Sequence, residues 1–314
     1  VPVMGYGQAT LLTNGTTVPG ELAAKPAKVA MVKLSGELAE RPQSFQLSLS
    51  SLNGNDKQPD LASLIVTLNQ AAKDKTLDGV FLDLSAFTLT LNQAQEIGEL
   101  LTNLRHAGKR VGIYSADFDT DTYVLASFAD TVIMPENGDL MIPGAALQMI
   151  FFKGELDKLD LQPDFVQIGK FKGAEEPFMR TTASPEYRAQ IDKLVDGMYG
   201  EIVATIAANR PNMEESAVKG AIDAAWLTGK KAKELGLVDQ TMSRERVGHW
   251  LDSQFPGGAL VDDSYGQAKK KSLDMDSPFA IFSLLGEQPK AKARGPEIAV
   301  IYAVGEIVPD FVDG

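Results

Sequence analysis

The chain has 314 residues, 44% of them hydrophobic and 23% charged, with a net charge of −12 and no cysteine. Together with a mean hydropathy of −0.09, these fractions exclude a disordered chain and a multispanning membrane protein, and the length suffices for a sizeable core. An isoelectric point near 4.7 repels phosphate backbones, so no nucleic-acid partner is expected, and the missing cysteines remove disulfides, thiolate-zinc sites and thiol nucleophiles together.

Residues 1–27 are rich in Gly, Thr and Pro with little periodicity and read as a leader or linker. The apolar run Val29 to Leu34 has strand length and is stopped by Ser35-Gly36. Leu61 to Lys73 has helical spacing, with Leu61, Leu64, Ile65 and Leu68 on one face. Gly79 to Leu84 predicts a second, buried strand, Gln93 to Ala107 a second helix closed by Gly108, and Arg110 to Tyr114 a third strand. Tyr123 to Ala129 predicts a short helix and Thr131 to Met134 a fourth strand. Strands and helices alternating at this spacing argue for an α/β fold with parallel pairing. Further on, the pattern predicts a helix over 145–160, a strand from Asp164 to Ile168, a long helix over 185–208 and a helix-turn unit from Ala221 to Leu237. From Asp252 to Gly295 the chain turns polar and irregular, with basic clusters at 269–271 and 289–296, and reads as a solvated linker. No apolar run reaches the roughly 18 residues that a membrane helix needs.

One internal match stands out. VAMVKLSGELAE at 29–40 aligns without gaps on IAVIYAVGEIVP at 298–309, each an apolar strand followed by Gly-Glu and an aliphatic residue. Two similar strands of an ordinary α/β protein would give the same match. Taken as a repeat, it divides the chain into a leader (1–27), a first domain (28–251), a linker (252–295) and the opening strand of a second repeat (296–314).

The candidate chemistry is narrow. His106 sits in LRHAGKR and His249 beside Trp250, far apart in sequence. Neither makes the pattern of a Ser-His-Asp triad or a multi-histidine metal site, so both are expected on helix surfaces and a hydrolytic base must be another residue type. Asp117, Asp119, Asp121 and Asp130 begin like a calcium loop, but the glycine on which such a loop turns is missing and no closing glutamate follows. Glycine-rich nucleotide loops are missing, and no cofactor or metal is expected. The densest polar stretch is Gln167 to Phe178, QIGKFKGAEEPF. In an extended segment Lys170 and Lys172 point to opposite faces, so one can be buried. Burial lowers a lysine's pKa, by up to about 3–5 units, and a neutral amine can serve as general base for a hydroxyl. A surface loop with two solvated lysines accounts for the same residues.

YVLASFAD at 123–130, FKGAEEPFMR at 171–180, VATIAANR at 203–210 and WLTGKKAKELGLVD at 226–239 resemble the amino-terminal half of the long, two-repeat signal peptide peptidase (protease IV) family. The resemblance runs from about 28 to 250, and 296–309 looks like the opening of the family's second half. It implies a ClpP/crotonase-like α/β fold of strand-strand-helix units and a membrane-anchored bacterial serine endopeptidase that degrades cleaved signal peptides through a Ser/Lys dyad. By the motif match Lys172 is the general base, whereas Lys170 has no counterpart. The family's nucleophilic serine lies in a Ser-Gly-Gly-Tyr-type turn of the second repeat, a turn this chain lacks. The equivalent place here is Thr120, in an aspartate-rich stretch without the glycines of an oxyanion-hole turn. The chain is thus expected to supply the base without the nucleophile. The resemblance further implies apolar signal-peptide segments as substrates, a homotetramer, an anchor upstream of Val1, and a place at the bacterial inner membrane facing the periplasm. A non-catalytic scaffold with the same fold is the alternative, and crotonase-type acyl-CoA chemistry finds no adenine- or pantetheine-binding signature.

Overall fold

The structure, a computed structural model, describes residues 24–40, 60–166, 168–211 and 213–266. Most of the sequence leader, both basic clusters and the second copy of the internal match lie outside the described residues.

In chain order, β1 (Ala27–Lys33) and the short β2 (Gly36–Glu37) precede α1 (Leu61–Lys73), β3 (Gly79–Asp83) and β4 (Phe87–Thr88). Next come α2 (Leu91–His106), β5 (Arg110–Tyr114), α3 (Thr120–Ser127), β6 (Thr131–Met134) and β7 (Asp139–Met141). The chain continues through α4 (Lys153–Lys158), α5 (Glu176–Met179), α6 (Pro185–Asn209), α7 (Glu215–Ala224) and β8 (Trp226–Thr228). It finishes with α8 (Gly229–Glu234), β9 (Gln240–Thr241), α9 (Arg244–Ser253) and β10 (Ala259–Asp262).

Six strands form one sheet in the order β10-β1-β3-β5-β6-β9, and every neighbouring pair is parallel. Parallel neighbours need crossovers, and α1, α2 and α3 supply the first three. A strand covered on both faces reads as a continuous apolar run, which is why β3 and β5 were legible as GVFLD and RVGIY. Alternate residues divide between two cores. Ala30, Val80, Leu82, Val111, Ile113 and Val132 face α1, α2 and α3. Val29, Phe81, Tyr114 and Ile133 face α9, through Val247 and Leu251. Local rules set the helix starts: Asp60 accepts from the Ser63 N–H (2.8 Å), and Thr90 and Gln93 form a reciprocal capping box at α2.

Three expectations are corrected. The helix over 145–160 shrinks to α4, none of whose residues is buried, because most of the apolar residues along this stretch are not covered by the core; Ala145 packs against it, but Leu147 and Ile150 remain exposed. Helical spacing is stabilised only when its apolar face packs. The expected strand from Asp164 to Ile168 pairs with no strand among the described residues, and Val166 and Ile168 are 96% and 84% exposed. Conversely, the stretch read as linker from Asp252 still holds the end of α9 and β10, which pairs with β1 from Ala27↔Ala259 to Ala30↔Asp262. As a largely exposed four-residue edge strand, β10 leaves almost no apolar signal.

Candidate active site

The carboxyl ends of parallel strands are where α/β sheets place ligands. Here that edge holds the β5–α3 turn. Ser115 is buried, its Oγ donating to the Asp117 carbonyl, and an Asp117 carboxylate oxygen accepts from the Asp139 N–H at 3.0 Å. Asp119 caps α3 by accepting from the Thr122 N–H (2.8 Å), and the Thr122 hydroxyl accepts from the Asp119 N–H (2.9 Å). Asp130 accepts from Arg105 Nε (2.7 Å) and from the Val111 N–H (2.9 Å). The aspartate-rich stretch is therefore a set of separate structural contacts, and among the described residues no group of acidic or histidine side chains gathers around a common point. Desolvation, and then the like charge of Asp119, raise the pKa of the half-buried Asp121 above the usual aspartate value.

Thr120 is the first residue of α3 and partly exposed. Three nearby N–H groups are already engaged: Phe118 donates to the Asp139 carbonyl, Asp119 to Thr122 Oγ1, and Tyr123 to the Asp119 carbonyl. An oxyanion hole needs such donors free and aimed at the reacting oxygen. Below this turn α3 is anchored by Tyr123, whose buried hydroxyl donates to the Leu237 carbonyl at 2.7 Å and whose ring meets Phe118 edge-on. Burial pushes the Tyr123 phenol far above its ordinary pKa, so it stays a donor.

Two polar residues at the same edge escaped the sequence reading. Asp83 ends β3 buried at 5% exposure, accepting from Ser85 Oγ (2.7 Å) and from Arg244 Nε (2.5 Å). An aspartate inside the apolar run GVFLDL was the available signal, since a buried carboxylate requires partners. Burial, then the charge of Asp83, raise the pKa of neighbouring Tyr114.

Residues 143–184 leave the sheet and return at the α6 N-terminus. Within them Lys170 and Lys172 are both exposed, in a turn where Gly169 adopts φ +100° and the Lys172 N–H donates to the Gly169 carbonyl at 3.3 Å. The expected division into one buried and one solvated lysine is thus not seen within the single chain, because the segment turns where an extended strand was expected. Lys172 has no ion-pair partner among the described residues, and no hydrogen bond joins it to Thr120. In the chain just before Lys172, Phe165, Val166, Ile168 and Phe171 are all at least 44% exposed, and Phe178 stacks between Phe152 and Phe165 at 5.7 and 5.8 Å. His106, in the last turn of α2, and His249, on α9, both lie exposed on helix surfaces.

The closing unit 226–239 is fastened to the end of α6. Arg210, the α6 C-cap, has a side chain 1% exposed and donates through Nη2 to Asp239 (2.8 Å) and the Gly236 carbonyl (3.0 Å), and through Nη1 to Asp239 (3.1 Å). Its Nε has no hydrogen-bond partner among the described residues. Asp239 also accepts from the Val132 N–H of β6 at 2.7 Å, tying helix, closing unit and sheet at one carboxylate.

Within this parallel α/β sheet, with its buried helix at the carboxyl edge, residues 103–255 match the model of Peptidase family S49. That match, together with the relatives below, bears out the resemblance to the protease IV family drawn from the motifs. The chain is 29% identical to Protease 4 of Haemophilus influenzae, over 73% of this chain and 39% of that protein, and 26% identical to Protease 4 of Salmonella typhi, over 98% and 49%. The chain therefore spans less than half the length of these curated relatives. A ClpP1 mutant from Listeria monocytogenes superposes with a TM-score of 0.41 at 12% identity, over 68% of this chain and 92% of that one.

Proposed function

We propose that this chain is the base-bearing part of a serine endopeptidase of the protease IV type, with Lys172 as general base of a Ser/Lys dyad whose serine lies outside residues 1–314. The neutral Lys172 amine takes the proton from the serine hydroxyl as the oxygen attacks a peptide carbonyl. The resulting ammonium returns that proton to the departing amine as the C–N bond breaks, and water then hydrolyses the ester on the serine. The substrates are extended apolar segments, cleaved signal peptides in particular, bound by apolar grooves and strand-like pairing. The domain boundaries are those read from the sequence, with the first repeat extended through β10. Self-association as a homotetramer, an anchor upstream of Val1 and a position at the bacterial inner membrane facing the periplasm belong to the same reading. Among the described residues no helix is long and apolar enough to cross a membrane.

The observation that carries the reading is the setting of Lys172: an exposed amine without an ion-pair partner among the described residues, in a stretch of chain where Phe165, Val166, Ile168 and Phe171 are exposed to solvent. A partner surface laid over these side chains would exclude water around the amine, and desolvation favours its neutral form. The test is Lys172→Ala in the full-length protein: hydrolysis of an apolar peptide should fall at least about 10³-fold with an unchanged melting temperature, as expected for loss of a group acting in the transition state. Activity within tenfold of the parent would overturn the assignment. The scaffold reading rests on the engaged backbone donors around Thr120, and it would be favoured by a full-length protein that folds but hydrolyses no peptide.

A further inference from the structure

We infer that Glu176 and Ser184 are positioning residues that hold the Lys172 turn in place; this rests on Lys172 being the base. Glu176 is buried at 5% exposure within a segment whose neighbours Phe171, Phe178 and Met179 are exposed. A carboxylate is withdrawn from water only against a cost, which its hydrogen bonds must offset. The contacts of its carboxylate are all polar. It reaches across the return of the chain. The Ser184 N–H donates to one carboxylate oxygen at 2.6 Å, the Ser184 hydroxyl donates to the other, and Arg180 Nε lies 3.9 Å away.

Ser184 is at the same time the N-cap of α6, its Oγ accepting from the Tyr187 N–H at 3.0 Å. That contact seats the Tyr187 ring against Gly173, where an added Cβ would stand 2.7 Å from the ring. The Gly173 carbonyl in turn accepts from the Glu176 N–H at 3.1 Å. Gly173, next in the chain after Lys172, is therefore held by the ring on one side and by the Glu176 backbone on the other. With the Lys172 N–H on the Gly169 carbonyl, the backbone of the lysine is fixed on both sides while the residue stays exposed. The 25-residue helix α6 is the rigid body to which Glu176 and Ser184 refer the base. A general base must lie within hydrogen-bond reach of its proton, and a misplacement of about 1 Å can cost about 10²-fold in rate.

The experiment is steady-state hydrolysis of an apolar peptide by the full-length protein across pH, with a thermal melt of each variant. Glu176→Gln and Ser184→Ala should each lower kcat at least roughly tenfold with KM within about twofold. The pH dependence of kcat should also change in both, since the surroundings of the reacting amine change when its turn is loosened. Ser184→Thr, which keeps the hydroxyl, should behave as the parent. If kcat in Glu176→Gln and Ser184→Ala stays within twofold and its pH dependence is unmoved while Lys172→Ala is inactive, the positioning role is overturned and the base assignment stands. A loss that merely tracks the fraction unfolded, with the pH dependence in place, makes the pair structural and also overturns it. An active Lys172→Ala removes the base itself, whatever the other variants do.

Discussion

Replacing Asp239 by alanine tests how the closing unit is fastened to the sheet. The change leaves the Arg210 guanidinium, 1% exposed, with the Gly236 carbonyl as its remaining acceptor among the contacts described, and Nε already lacks a partner. Breaking a buried ion pair by removing one partner costs about 3–5 kcal/mol. Asp239 itself is 32% exposed, so water can enter the vacated place, and the expected loss lies at the lower end, about 3 kcal/mol. For a domain of this size each kcal/mol moves the melting temperature by about 2–4 °C, giving a drop of roughly 6–12 °C. Arg210→Met should cost distinctly less, about 1 kcal/mol, because the Asp239 carboxylate then faces solvent and still accepts from the Val132 N–H. Urea unfolding of the two variants, with unchanged denaturant slopes, measures both losses. Equal losses, or a loss below about 1 kcal/mol for Asp239→Ala, would refute the argument that a stranded cation sets the cost.

Two further outcomes are expected. Gly98→Ala should destabilise by about 1–3 kcal/mol, because the new methyl would stand 2.4 Å from the Phe128 ring, and the double change Gly98→Ala/Phe128→Leu should recover part of that loss in the same unfolding assay. Asp121→Asn should be more stable than the parent at pH 7. The folded-state pKa of Asp121 is raised, first by desolvation and then by Asp119, so the folded chain binds a proton more readily than the unfolded one. Its carboxylate therefore opposes folding above that raised pKa, and the opposition fades as pH falls toward the ordinary aspartate value of 3.8. The difference in melting temperature between Asp121→Asn and the parent should accordingly shrink on acidification, and a difference that is flat with pH would contradict it.

The strands that were legible are those whose physics is written locally. β3 and β5 are buried on both faces, so their apolar runs carry the assignment unaided, and α2 shows a face of Ala94, Ile97, Leu101 and Leu104 followed by Gly108 at φ +78°. Elements made by pairing were not legible. β7 and β8 are three residues each and exist through their antiparallel register, Asp139↔Thr228 to Met141↔Trp226. The excursion over 143–184 misled the reading in the opposite sense: its apolar residues imitate a helix and a strand but most face outward. At the candidate site the motif located Lys172, while its surroundings could not be foreseen from Lys170 and Lys172 alone. The turn at Gly169 and the reach of Glu176 to Ser184 depend on chain segments that meet only after folding. Asp83 and Arg244 are separated by most of the domain, and half of that pair, the aspartate within β3, was visible in the sequence.

The pairing of β1 with β10 gives the domain a schedule of assembly. β1 is translated first among the sheet strands, yet its outer neighbour is the last strand described, with nearly the whole domain between Ala27 and Ala259. At ribosomal rates of about 5–20 residues per second, roughly 10–50 s separate the two. During that interval β1 can pair inward with β3 while its outer N–H and C=O groups stay open, the condition in which a strand recruits a stranger. The short, solvent-facing β10 adds little apolar burial, so its contribution is better read as closure. It replaces the open margin of β1 over Ala27–Ala30 by that of a short, solvent-facing strand, and a nascent chain stalled before Ala259 should be the form that chaperones hold.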